Sequence, residues 1–144
     1  NPWKPENVKS FYPGQAYVDW IGINILNYGS LNENERNYNF ESLYKPFHDI
    51  LKDLPVTPIM ITELGSLAND STENWIDKAL TSIQTDFKEI KSIIYFHSKV
   101  DDNWPDRERP NQYLNWISAS KLSSQNLFQN KKVPEYVFNS INNF

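Results

Sequence analysis

Residues 56–64 read VTPIMITEL, and Gly65 and Ser66 follow. The run is apolar, rich in Ile and Val and without clean alternation, which predicts a strand buried on both faces. A carboxylate, Glu63, stands at its end. Two runs of the same kind flank it, Val18–Ile25 (VDWIGINI) and Ile90–His97 (IKSIIYFH). The segments between them carry a helical period. Phe40, Leu43, Tyr44, Phe47, Ile50 and Leu51 recur along one helix face, with Asn39 placed to cap the start. Pro46 falls inside that stretch and lacks the N–H that a helix interior needs, so a kink or a second helix start is expected there. Trp75, Ile76, Ala79, Leu80 and Ile83 form a second stripe, with Ser71 or Thr72 as cap and Glu73 and Asp77 towards the positive end of the dipole. Strand, helix, strand, helix, strand is an α/β layout with a parallel sheet.

The chain has 144 residues, enough for one domain, which is taken as 1–144. It has no cysteine, so disulfides, thiolate metal sites and a cysteine nucleophile are excluded. Lys and Arg number 14 against 18 Asp and Glu, a net charge of -4, which is the wrong sign for a nucleic-acid partner. No apolar run approaches the roughly 18 residues of a membrane span. Four glycines without a glycine-rich loop argue against a nucleotide cofactor, and two histidines without ligand partners at useful spacing argue against zinc. Aromatic residues reach 15% in a chain only 39% apolar. Either large rings build the core of a polar chain, or some rings are exposed to stack on sugars.

Beyond the third run the character changes. Asp101–Asn115 (DDNWPDRERPNQYLN) reads as a long polar loop. Trp116, Ile117, Leu122, Leu127 and Phe128 suggest a short packed helix, and Pro134, Tyr136, Val137, Phe138 and Ile141 a last one. Three parallel strands would leave two unpaired edges. Since the chain begins with Asn1 rather than Met, a missing N-terminal portion is the simplest expectation, and the lack of a targeting segment carries no information.

Ligands of α/β folds sit outside the carboxyl ends of the strands. Glu63, in ITELGS, emerges there and could serve as a nucleophile or general base towards a sugar; its plain alternative is a carboxylate pairing at a strand end. Asn24, Leu26, Asn27 and Tyr28 end the first run, and Tyr95, Phe96, His97, Ser98 and Lys99 end the third, so both groups should border the same pocket. Tyr28 or Tyr95 could hydrogen-bond the nucleophile, while Asn24 and His97 could bind hydroxyls. Trp104 is either a sugar platform or a plug. Asp101, Asp102, Arg107 and Arg109 read as a solvated loop surface, and His48 as an inert residue on the outer helix face. Asn69, Asp70 and Ser71 form a glycosylation sequon, informative only in a eukaryote.

FYPGQAYVDWIGIN, then PIMITELGS, then IKSIIYFHSK and NWISAS, together resemble the C-terminal part of family 26 glycoside hydrolases, the β-mannanase-like (β/α)8 barrels. The likeness runs over nearly the whole chain. It implies a partial TIM barrel whose three strands correspond to the sixth, seventh and eighth, with flanking helices. It implies no cofactor. Glu63 then matches the catalytic nucleophile of a retaining endo-hydrolase of β-linked polysaccharides, most often β-1,4-mannan, in a secreted or cell-surface protein. The acid/base glutamate of such enzymes lies on the fourth strand, in the missing N-terminal half of the barrel that would be this chain's partner. The sixth strand departs from the family pattern: NILNY puts Leu26 near the usual tyrosine position, with Tyr28 two residues on, and His97 replaces a frequent asparagine. A non-catalytic glycan-binding barrel and a partner-dependent structural module remain as alternatives.

If Trp104 stacks on sugar, Trp104→Ala weakens oligosaccharide binding by roughly 1 to 3 kcal/mol, measurable by titration calorimetry, and unchanged affinity assigns the ring a structural role. The 144-residue chain alone is expected to release no reducing sugar from β-mannan.

Overall fold

A computed structural model describes residues 5–31, 38–55, 58–67, 72–102 and 112–116. Three parallel strands, β1 (Ile21–Asn27), β2 (Ile59–Ser66) and β3 (Ile90–Tyr95), form one open sheet in the order β1-β2-β3. A single turn, α1 (Val8–Phe11), precedes β1; α2 (Phe40–Leu51) links β1 to β2, and α3 (Thr72–Thr85) links β2 to β3. Among the described residues this is the expected parallel α/β unit, in agreement with part of a (β/α) barrel.

The strands are displaced slightly from the apolar runs. Pro58 has no N–H to give a ladder, so β2 begins at Ile59 while the Pro58 carbonyl accepts from Ile21 N–H at 3.1 Å. Val18–Trp20 lies outside β1, which continues instead through Leu26 and Asn27. Pairing outlasts β3 by one bond, from Phe96 N–H to the Leu64 carbonyl at 2.8 Å.

Asn39 caps α2 as its position predicts: its side-chain oxygen accepts from Ser42 N–H at 2.8 Å, and the Ser42 hydroxyl donates back to the Asn39 carbonyl at 2.9 Å. Of the two outcomes expected at Pro46, a second helix start does not occur, since the helix runs from Phe40 to Leu51 with Pro46 inside it. An interior proline costs about 3 kcal/mol. Burying Phe40 and Leu51 returns roughly 1.5–3 kcal/mol each, and Pro46 and Ser42 lie on the exposed side, where water can serve the carbonyl left without a donor.

One face of the sheet packs on α2 and α3. Ile23, Ile25, Ile59, Ile61, Leu64, Ile90 and Ile93 meet Phe40, Tyr44 and Leu51 from α2 and Ile76, Ala79, Leu80 and Ile83 from α3. At the amino end of the strands the Phe87 ring meets both Tyr44, 4.9 Å away, and His48, 5.3 Å away, and those two rings also meet each other at 6.2 Å. Glu89 accepts there from the Tyr44 hydroxyl at 3.0 Å and meets His48 Nδ1 at 2.7 Å. Burial, then the Glu89 charge, push the Tyr44 hydroxyl well above its usual range. His48 is thus half-buried and tied to Glu89, rather than loose on the outer face.

In the tail segment Asp101 is buried rather than solvated, and Trp116, the one described residue of the packed helix expected there, is packed. Trp116 is fully buried in an extended stretch, and Asp101 and Leu114 form an antiparallel bridge. Trp104, the sequon, Ser71 and residues 117–144 lie outside the described residues, as do the side chains of Thr72 and Glu73. Among the described residues no helix is long and apolar enough to cross a membrane, and no three of His, Asp or Glu converge on a metal site.

Asn39→Ala removes the α2 cap and is expected to cost about 1 kcal/mol, read as a lower urea midpoint at unchanged m-value.

Candidate active site

Regular alternation would place Glu63 opposite Ile25, in the helix-facing layer. Ile23 pairs with Ile61, but the next residue of β1, Asn24, pairs with Glu63, so Thr62 is an extra residue in β2. This bulge puts Thr62 and Glu63 together on the face away from the helices, while Ile61 and Leu64 both stay in the core. The second register shift, against β3, falls in the same interval. Gly22 makes the arrangement possible, because a Cβ there would lie 2.8 Å from the Thr62 methyl group. Glu63 therefore sits inside β2, with Leu64, Gly65 and Ser66 still to come, rather than at its last residue.

Three side chains meet at the bulge. Asn24 Nδ2 donates to Glu63 Oε2 at 2.7 Å, and the Thr62 hydroxyl donates to Asn24 Oδ1. A fixed donor thereby orients the carboxylate, and Thr62 fixes which end of the Asn24 amide faces it. Further along, Asn27 Nδ2 donates to Ser66 Oγ at 3.1 Å, and Asn27 Oδ1 accepts from Gly29 N–H at 3.1 Å. Gly29 takes φ 58°, a left-handed turn that suits glycine. Next to it Tyr28 is buried in a second small core with Leu26, Leu114 and Trp116. The Trp116 ring stands edge-on to Tyr28, centroids 5.1 Å apart, and to Phe96 at 5.6 Å. It covers Gly65, where a Cβ would come within 3.3 Å of the indole and 3.2 Å of Leu26.

Asp101, read from sequence as solvated, is buried, and its Oδ2 accepts from Trp116 Nε1 at 2.7 Å. Its charge acts on the site. Burial, then Asp101, raise Glu63 above the usual carboxylate range. Burial, then Asp101 and Glu63, push the Tyr28 hydroxyl up to about 12, so Tyr28 is a neutral hydrogen-bonding group at any working pH.

The predicted site residues thus separate. Asn24 and Glu63 are joined directly, and Tyr28 belongs to the same charged neighbourhood. Tyr95 pairs with Leu64 and packs against the helix-side core, where burial raises its hydroxyl. His97 is exposed and stacks on Tyr95 at 5.9 Å, and no described contact joins either ring to Glu63. Sequence reasoning missed Thr62, Asp101 and Trp116 as site residues. The spacing of Ile59, Ile61 and Leu64, two and then three, was the available signal for the bulge.

No protein-family model matches the chain. Over 117 residues, 80% of its length, it is 25% identical to Endoglucanase H of Acetivibrio thermocellus. The chain spans only 13% of that protein's length. The likeness is a weak and partial homology to a glycoside hydrolase, consistent with the incomplete α/β barrel.

Two outcomes follow from the carboxylate's surroundings. Asn24→Ala removes a donor to the ionised form, so the Glu63 titration midpoint rises further, as followed by carbon NMR of its carboxyl group. Folded Glu63 holds its proton more tightly than unfolded Glu63. Its contribution to stability is therefore greatest below the ordinary carboxylate range and falls as pH rises through the elevated folded midpoint. Glu63→Gln lacks that decline, which is measured as the difference between the two proteins' urea stabilities across pH.

Proposed function

We propose that this chain supplies the nucleophile side of a retaining glycoside hydrolase site that cuts β-linked polysaccharide internally. The observation that supports it most is the Glu63 carboxylate, set on the non-helical face of β2 by the bulge and held at one oxygen by Asn24. In this mechanism the other oxygen, Oε1, attacks the anomeric carbon. The bond from that carbon to the leaving oxygen breaks, and the oxygen takes a proton from a second carboxylic acid. A covalent glycosyl ester on Glu63 results, which water then cleaves with the second carboxylate acting as base. The two carboxyl groups of such a site stand about 5 to 5.5 Å apart. By the family resemblance the second belongs to the fourth strand of the barrel, outside these residues.

Tyr28, neutral and next to the charged pair, can donate a hydrogen bond to the nucleophile or the ring oxygen. Glu63 must be ionised to attack. The same burial and Asp101 charge that raise its pKa therefore move the acidic limb of kcat/KM above the ordinary carboxylate range. The substrate by family resemblance is β-1,4-mannan. The name of the similar endoglucanase favours β-glucan as a second reading. Work on polymers of that size fits a secreted or cell-surface protein.

The test uses the polypeptide that carries this chain together with the rest of its barrel, with β-mannan and mixed-linkage β-glucan as substrates. Glu63→Gln is expected to abolish release of reducing ends from whichever polymer is cut, while oligosaccharide affinity stays near that of the parent. Near-normal kcat in the variant removes Glu63 from the mechanism. A parent that binds without cutting either polymer supports a glycan-binding barrel instead.

A further inference from the structure

Asp101 lies six residues beyond the end of β3, in a part of the chain that reads as solvated loop, yet only 7% of it is exposed. Burial of a carboxylate is costly unless donors meet it. One donor is the Trp116 indole N–H at 2.7 Å, and the Asp101 carbonyl accepts from Leu114 N–H at 2.7 Å. A further bond, from Trp116 N–H to the Ser98 carbonyl at 2.8 Å, holds the same strip of chain against the end of the sheet. The indole so fixed stands at 80° to the Tyr28 ring and at 68° to Phe96, and it seals Gly65, two residues beyond Glu63.

We propose that Asp101 is a positioning residue for the Glu63 site: its carboxylate holds the Trp116 indole, and the indole holds the Tyr28 ring at the carboxyl end of the sheet. This deepens the glycosidase reading and rests on it for its functional meaning. Among the described residues, the titratable groups converging there are Glu63 from β2, Tyr28 after β1 and Asp101 after β3. Asn24 and Thr62 are the uncharged members. Asp101 consequently acts in two separable ways, as an anchor for the ring stack and as a negative charge that favours the protonated forms of both Glu63 and Tyr28.

Asparagine and alanine at this position separate the two. Asp101→Asn keeps an oxygen for the indole but loses the charge. Its Trp116 Nε1–H resonance and Tyr28 ring shifts are expected to stay close to those of the parent, while the Glu63 titration midpoint falls. Asp101→Ala loses both, and is expected to move the indole and Tyr28 resonances as well. A Glu63 midpoint that does not move in Asp101→Asn overturns the electrostatic half. Unchanged Trp116 and Tyr28 signals in a folded Asp101→Ala overturn the anchoring half. If Asp101→Ala does not fold, Trp116→Phe takes its place, keeping a ring but losing the N–H that Asp101 holds, and unchanged Tyr28 signals in it overturn the anchor. Every readout is taken without substrate. A parent that cuts neither polymer, or an active Glu63→Gln enzyme, would therefore sink the reading of Glu63 as nucleophile and leave these couplings standing, whereas a failed coupling leaves that reading untouched.

Discussion

Everything about the candidate site depends on one extra residue in the central strand. β2 is flanked by β1 and β3, so its side chains have only two places to go, the helix layer or the opposite face. With strict alternation, Ile61 and Glu63 would share a face, and keeping the isoleucine in the core would pull the carboxylate in with it. The bulge at Thr62 breaks that parity. Ile61 and Leu64 both remain buried, and Glu63 turns to the far side opposite Asn24. The hydrophobic demand of the α2–α3 layer thus sets the register, and the register sets the chemistry.

Having been turned outward, the carboxylate is then pulled in opposite directions. Asn24 donates to its ionised form, while burial and the nearby Asp101 favour the proton. A carboxylate so balanced is a weaker acid than one in water and correspondingly a better nucleophile once ionised. Asp101 itself is partly relieved by the Trp116 indole, and a charge-assisted bond of that kind contributes about 1.5–3 kcal/mol. The edge-on cluster of Trp116, Tyr28 and Phe96 therefore couples Asp101, and the neighbourhood of Glu63, to the packing beneath it.

The opposite end of the sheet has a different polar cluster with a different purpose. Tyr44, His48 and Glu89 close the core where α2 passes over the lead-in to β3, with the Phe87 ring packed edge-on against both rings. Loss of Glu89 there would leave a buried hydroxyl without its acceptor. The site and this clasp share no residue, so the amino end holds the layers together while the candidate site lies towards the carboxyl end, the division of labour common to barrels of this architecture.

Much of the fold was legible in the chain because its signals are local. Apolar runs around Ile23, Ile61 and Ile93, a helical stripe through Phe40, Tyr44 and Leu51, and Asn39 as cap each depend on neighbours within a few positions, and each forms as expected. Pro46 does not start a second helix, since core burial elsewhere on the same helix outweighs one lost hydrogen bond. Glu63 and Asn24 were legible as candidates from residue type and strand position. That they touch follows from a register shift between residues 39 apart in sequence; the spacing of Ile59, Ile61 and Leu64 hints at an extra residue, but the partner strand and residue it meets are not encoded locally. Asp101 was misread, and its bond to Trp116 missed, for the same reason: a polar loop and an aromatic residue each have an ordinary local meaning, and only closure of the chain over Gly65 brings the carboxylate to the indole. The sequence by itself determined which segments are strands and helices, because backbone preference and hydrophobic period act over short distances. Tertiary structure alone decided which face Glu63 takes and whose charge it meets, because pairing register and burial are properties of segments brought together from distant parts of the chain.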